Sequence, residues 1–403
     1  MSAALWVDAV LLLLALLHAA VAAVLVLQVV ASTRPAPDHR RAPSAAAPRV
    51  AVLVPAHDEE LTIAATLEAL RAQLEPGDRL LVVADNCIDR TAAIARQHHA
   101  EVIERTDPLR RGKGYALDAG IRHLEAGAGP QPQVLLIVDA DCELHPGGLR
   151  TLGAACLASG RPVQALDLMR APAGSGRGTR LAEFAWIVRN HARPLGCLRL
   201  GWPCQLMGTG MALPWPLVRS MSLASSHLAE DMQLGVDLAL RGAAPLFCPD
   251  ALVTSLFPAS VVAQRQQRAR WERGHLGTLL ARGPRLLLSG AWRRDAALFA
   301  MGLDLCVPPL ALFVLSLLTV TVASGVWAVL SGAIAPMAIS ALALVGFGGA
   351  VLLAWSAFGR QVVSLREMFS VPFYVVAKLP MYARLLLRPR APWVRTQRDD
   401  KRA

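Results

Sequence analysis

Three long apolar runs limit this chain more than any other feature. Residues 10–27, VLLLLALLHAAVAAVLVL, hold a single polar side chain, His18. With Val29 and Val30 beyond Gln28, the run reaches the roughly 20 residues that a helix needs to cross bilayer hydrocarbon. Runs at about 305–330 and 336–358 have the same character, and the SGAIA between them is uncharged. Backbone groups in lipid must bond to one another, so each run reads as a helix. The first is expected to be a transmembrane helix (1–32) rather than a cleaved leader. Its flank, MSAALWVD, has an acid and no Lys or Arg. Arg34, Arg40 and Arg41 follow it, and Arg360 and Arg366 follow the last run. The positive-inside rule then predicts a multi-pass protein of the cell (inner) membrane, with its middle in the cytoplasm.

Hydrophobic residues make up 54% of the 403, yet 18% are charged, so a water-soluble part is required. The net charge of +11 fits nucleic acid, anionic lipid or an anionic substrate. Aromatics are only 5%, which argues against base stacking and so against nucleic acid. Much of the excess lies beside the apolar runs, which favours membrane lipids. Seven scattered cysteines show no zinc or CxxC spacing and read as reduced packing residues.

The expected organisation follows. A Pro/Ala-rich linker (33–47) leads to a cytosolic domain (48–285), two transmembrane helices (297–359), and an interfacial amphipathic helix with a basic tail (360–403). The segment 361–387 is interrupted by Lys378 and Pro380, so lying in the interface competes with a further span. In the middle, RVAVLVPAHDEE, DRLLVVADNCIDRTA, EVIER and QVLLIVDADCE read as strands, alternating with helical ELTIAATLEALRAQ and YALDAGIRHLEAG. That alternation predicts an α/β fold with a parallel sheet covered on both faces.

Ligands of such sheets bind beyond the carboxyl ends of the strands. Acids gather there: Asp58 and Glu59, with His57 beside them, after the first strand, Asp85 and Asp89 after the second, Asp139 and Asp141 after the fourth. Carboxylates converging on one rim repel unless a cation sits among them. Arg110, Arg111 and Lys113 are nearby candidates, and so is a divalent metal. Asp-Ala-Asp offers hard oxygens to Mg²⁺ or Mn²⁺, which also bind diphosphate oxygens. Taken alone, the pair could equally cap a turn and face water.

Five ordered stretches, VPAHDEE, VVADNCIDRT, VDADC, AEDMQLG and QRARW, resemble the membrane-embedded inverting glycosyltransferases of family 2, the group of cellulose, chitin-oligosaccharide and hyaluronan synthases. RRGKGYALDAG and MGTGMALPW are similar to that family too. The likeness covers about residues 48–285 and implies a GT-A type, Rossmann-like domain. It implies a nucleotide-sugar donor, a UDP-sugar by expectation, and a saccharide or lipid-linked acceptor. Pro55, His57, Glu59 and Asp85 match positions that hold the uridine. Lys113 and Gln267 fall on the donor side, and Asp139 and Asp141 on the metal and diphosphate. Gly208, Thr209 and Gly210 match a loop beside the acceptor sugar, Asp231 the catalytic base, and Gln267, Arg270 and Trp271 the QxxRW element. The family often has Asn where this chain has Asp58.

Physical chemistry fits those roles. Inverting transfer is one displacement, helped by a base within reach of the acceptor hydroxyl, and Asp231 serves if Glu230 or burial lifts its pKa. Two acids at a helix start are also what a helix dipole favours. Gln267, Arg270 and Trp271 share one helix face, where Arg270 can meet a phosphate and Trp271 can wall the acceptor; a basic interfacial helix would look similar. Trp202 is a further acceptor candidate. Three spans are few for a polymer channel, which a short product, a lipid-linked acceptor or a homo-oligomer would relieve. A non-catalytic membrane platform is the alternative class. A nucleotidyltransferase would need a Gly-rich basic loop where VPAHDEE is acidic.

Overall fold

The structure, a computed structural model, describes residues 3–35, 48–127, 129–225, 227 and 229–387. Most of the expected linker and the basic tail, residues 36–47 and 388–403, lie outside the described residues. Contacts divide the described chain into two units. One holds residues 48–170 and Trp202–Leu256; the other holds residues 3–35, Ala171–Gly201 and 257–387.

The first unit is built on an eight-stranded sheet: β1 (Val50–Ala56), β2 (Arg79–Asp85), β3 (Glu101–Arg105), β4 (Val134–Ile137), β5 (Glu143–Leu144), β6 (Val163–Arg170), β7 (Met211–Pro214) and β8 (Leu246–Leu256). Their order is β3-β2-β1-β4-β7-β6-β8-β5. From β3 to β4 the strands are parallel. Their near-continuous apolar sequences follow from burial on both faces. Successive side chains alternate between two cores. Val50, Val52 and Val54 pack with the helix Ile63–Arg71, while Ala51 and Leu53 pack under the helix Lys113–Ala126. Gly120 lets the latter helix sit close, since a Cβ there would lie 2.4 Å from Leu53 Cδ1.

Beyond β4 the sheet departs from the all-parallel expectation. β7 runs antiparallel to both β4 and β6. β6 and β8 are parallel, and β5 is antiparallel to β8. The chain enters β7 through Gly208 and Gly210, whose φ angles of 95° and 63° few side chains tolerate. β4 also stops at Ile137, so Asp139 and Asp141 stand in the turn after the strand rather than in it.

The second unit contains three helices long and apolar enough to cross a membrane: Ala3–Ser32, Leu310–Ser331 and Ala335–Gly359. The second starts five residues later than about 305, because Pro308 and Pro309 cannot continue the preceding helix Ala296–Leu305. The helix Val261–Arg293 starts at Ser260, whose hydroxyl accepts from the Ala263 amide. Helix Arg177–Ile187 passes through a π-helical turn, Val188–Ala192, into Arg193–Arg199. After the last span come three short helices, Leu365–Met368, Val371–Val376 and Leu379–Leu387, none of spanning length. A polar knot lies inside this unit: Arg193 donates to Gln28 Oε1 at 3.0 Å and to Asp304 Oδ1 at 2.7 Å.

Candidate functional site

In the sheet unit, the carboxyl ends of β1, β2 and β4 bring most of the expected site residues onto one rim, in two clusters. The first lies at β1 and β2. Pro55 pairs in register with Val83 near the end of β1. The His57 Nδ1–H donates to the Asp85 carbonyl at 2.6 Å. Asp58 adopts a left-handed conformation, φ 52°, and its carboxylate accepts from the Ile88 amide at 2.8 Å. Glu59 donates its amide to the Thr91 hydroxyl at 2.7 Å. These bonds tie the VPAHDEE turn to the DNCIDRT turn. Asp85 is buried, and Arg105 at the end of β3 balances its charge at 2.5 Å.

The second cluster is centred on Lys113. Gly112, with φ 134°, opens the helix Lys113–Ala126 and starts it at the lysine. The Lys113 ammonium pairs with Asp139 Oδ1 and donates to the Gly208 carbonyl at 2.6 Å. Burial alone would depress the Lys113 pKa, but the charges of Asp139, Glu230 and Asp231 hold it above its ordinary value. Asp231 stands at the first turn of the helix Glu230–Leu240. A Cβ on Gly208 would lie 3.3 Å from Asp231 Oδ2 and 3.6 Å from Lys113 Nζ, so the glycine keeps these groups close. Thr209 is buried, and its hydroxyl accepts from the Asp139 amide at 3.1 Å. A small cleft of about 70 Å³ opens beside Lys113, Glu230 and Asp231, with Met211, Ser222 and Asp237 among its walls.

Lys113 thus sits among Asp139, Asp141, Glu230 and Asp231. The crowding of like charge shows in the acids. Burial first, then Asp139, pushes the Asp141 carboxyl up to about 6. Burial and the charge of Asp231 raise Glu230 as well. Single carboxylate oxygens of Asp139 and Asp141 lie within 4.8 Å of each other and of Cys142 Sγ. Such a spacing suits a small divalent cation, and the strain of the crowded charge would be relieved by one.

Not every expected residue joins these clusters. Gln267, Arg270 and Trp271 belong to the other unit, together in one stretch of the helix Val261–Arg293. There the Trp271 ring lies 4.9 Å from that of Trp186. Trp202 is half-buried in the segment before the Gly208 loop.

Two contributors escape a reading of motifs. Gln164, fully buried in β6, donates to the Thr209 carbonyl at 2.9 Å and accepts from the Met207 amide at 2.8 Å. It pins both sides of the glycine loop. A polar residue inside the apolar VQALDL was its only sequence signal. Arg105 was signalled by its position at a strand end, where the parallel sheet collects ligands.

A family model, glycosyltransferase like family 2, matches residues 48–274. The "Probable glycosyltransferase YdaM" of Bacillus subtilis (strain 168) is 26% identical over 238 residues, 57% of this chain and 55% of that protein. The "Uncharacterized glycosyltransferase Mb0553" of Mycobacterium bovis is 35% identical over 105 residues, 26% of this chain and 42% of that protein. The chain therefore spans about half the length of the curated relatives it matches. Among solved structures, the mannosyltransferase PcManGT from Pyrobaculum calidifontis, in complex with GDP-Man and Mn2+, covers 95% of this chain and 99% of its own. Its TM-score is 0.55 and its identity 17%. That likeness shows the fold, a mixed α/β, GT-A-like architecture. With more than half of its length matched by the family model, the chain belongs to glycosyltransferase like family 2.

Proposed function

We propose that this chain transfers a sugar from a nucleotide-sugar, a UDP-sugar by expectation, to a saccharide or lipid-linked acceptor with inversion. The observation that carries this reading is the packing of Lys113, Asp139 and Asp231 around Gly208 on the ligand-binding rim of a parallel sheet. A lone acid at a helix start has a bland explanation. An acid held beside a half-buried ammonium and a glycine whose Cβ would crowd both is a built site.

In this reaction the acceptor oxygen forms a bond to the anomeric carbon as the bond from that carbon to the diphosphate breaks. The acceptor proton passes to the Asp231 carboxylate, and the nucleoside diphosphate departs with the electron pair. Lys113 stands where negative charge grows on the leaving group, and a preorganised cation stabilises that charge most in the transition state. The Asp85, His57 and Glu59 cluster, tied across two strand ends, is assigned to the nucleoside. Thr209 and the flanking glycines shape the acceptor side, with Trp202 assigned beside them. The family roles of Gln267, Arg270 and Trp271 are retained in this reading.

Mg²⁺ or Mn²⁺ fits the Asp139–Asp141 pair, whose hard oxygens are close and whose shared charge is costly. When bound, such an ion supplies Lewis-acid stabilisation of a diphosphate. The three span-length helices and the basic residues that flank them favour an inner-membrane enzyme with a cytoplasmic site. A non-catalytic platform has no need for four acids crowded around a lysine.

A donor screen tests the proposal. Membranes containing the chain are given each nucleotide-sugar in turn with Mg²⁺ or Mn²⁺, and released nucleoside diphosphate is measured. At least one donor should be turned over, and Asp231→Asn should slow that turnover by roughly 10² to 10⁴. Release by Asp231→Asn at the native rate would end the assignment of the base.

A further inference from the structure

The membrane-spanning unit contains a cavity of about 320 Å³, in the size range of sites for small organic ligands. Its walls are mostly apolar. Val314 and Leu318 come from one span, Phe347 and Val351 from another, and Trp186 and Trp271 from helices outside the spans. Leu318 and Val376, 40% and 55% exposed, mark where the cavity meets the surface. Leu318 belongs to a span, so this mouth opens at a height that hydrocarbon would occupy.

The charged side chains on the lining are mostly cationic: Arg189, Arg193, Arg268 and Lys378, with a single carboxylate, Glu272. Lys378 takes up Glu272 at 3.1 Å, and Arg193 is held by Asp304. Arg189 lies 5.6 Å from the Trp186 ring centre and Arg268 lies 5.5 Å from that of Tyr374. Arg189 also stands in the π-helical turn Val188–Ala192, a local irregularity often found where a helix serves a ligand. Nearby His275 is buried, and burial followed by the fields of Arg189 and Arg193 pushes its pKa down to about 3, so it adds no further charge.

A free sugar would gain little from such walls, and inorganic phosphate would leave them unfilled. An amphiphile with an anionic head satisfies both parts. We propose that this cavity binds an anionic bilayer phospholipid, with a hydrocarbon chain among Val314, Leu318, Phe347 and Val351 and its phosphate at Arg268. Lipid binding here does not depend on the sugar-transfer reaction, and it can be tested without any donor.

The full chain is placed in nanodiscs with photoactivatable phosphatidylglycerol or phosphatidylcholine, and crosslinked peptides are mapped by mass spectrometry. Labelling of the peptides holding Trp186 and Trp271 should favour phosphatidylglycerol by about fivefold. Arg268→Gln should reduce it about fivefold, while Arg268→Lys, which keeps the charge, should retain most of it. Val314→Trp, which fills the cavity, should abolish it. Equal labelling by the two lipids, or labelling indifferent to Arg268→Gln, would overturn the proposal. So would crosslinks confined to outward positions such as Leu342 and Val345. Should Val314→Trp fail to fold, the Arg268 pair decides alone.

Discussion

At the scale of single residues, the site is a problem in charge. Asp141 is held near Asp139 with part of its hydration removed, and its carboxyl is raised to about 6. A carboxyl whose folded pKa lies above its unfolded value costs stability once ionised. The cost is absent below the ordinary carboxylate range, grows as pH rises, and is complete above about 6. Asp141→Asn should therefore stabilise the metal-free protein at neutral pH by on the order of 1–2 kcal/mol, with allowance for partial exposure, and the gain should fade on acidification. Thermal unfolding with chelator at neutral and at acidic pH checks this. The same substitution should damage function, as is common where a strained site is relieved. Asp231→Asn should act differently: donor affinity stays near native while kcat falls by roughly 10² to 10⁴, which steady-state kinetics would separate.

At the scale of elements, close approach governs the packing. In the helix Arg193–Arg199, a Cβ on Gly196 would fall 1.9 Å from the Gln28 carbonyl oxygen, which is backbone and cannot swing away. Gly196→Ala should therefore cost about 1–3 kcal/mol. Gly178, whose Cβ would meet nothing within 4 Å, provides the control: Gly178→Ala should leave unfolding in detergent unchanged. These contacts explain what could and could not be read from sequence. β1, β2 and β4 were legible because burial on both faces forces apolar runs, and the acids at their ends followed from the geometry of a parallel sheet. The reversed β7 was not legible. Its direction depends on left-handed glycines at 208 and 210 and on pairing with β4, some 75 residues away along the chain. Gln164 was hidden for a similar reason, since its partners at Met207 and Thr209 meet it only in the folded sheet. Ala171–Gly201 holds five arginines and a single tryptophan, yet it joins the apolar helices because Leu181, Phe184 and Val188 pack with Phe313 and Phe347.

At the scale of the whole molecule, each unit carries its own polar centre inside an apolar surround. In the helical unit that centre is Arg193 with Asp304 and Gln28, all buried. Removing one partner of a buried ion pair leaves the other charge uncompensated. Arg193→Met should destabilise the protein by about 3–5 kcal/mol, and the double replacement Arg193→Met with Asp304→Leu should recover much of the loss. Unfolding midpoints of the three variants in one detergent would decide it. In the sheet unit the centre is the Lys113 cluster, with Asp139, Asp141, Glu230 and Asp231 around one ammonium.

The most direct measurement is calorimetric titration of UDP into the purified full chain, with Mn²⁺, with chelator, and with Mn²⁺ in Asp141→Asn. A cation held by the Asp139–Asp141 pair would also take the diphosphate oxygens, so affinity should fall on the order of tenfold or more in the second and third titrations. Equal affinity in all three would contradict the account.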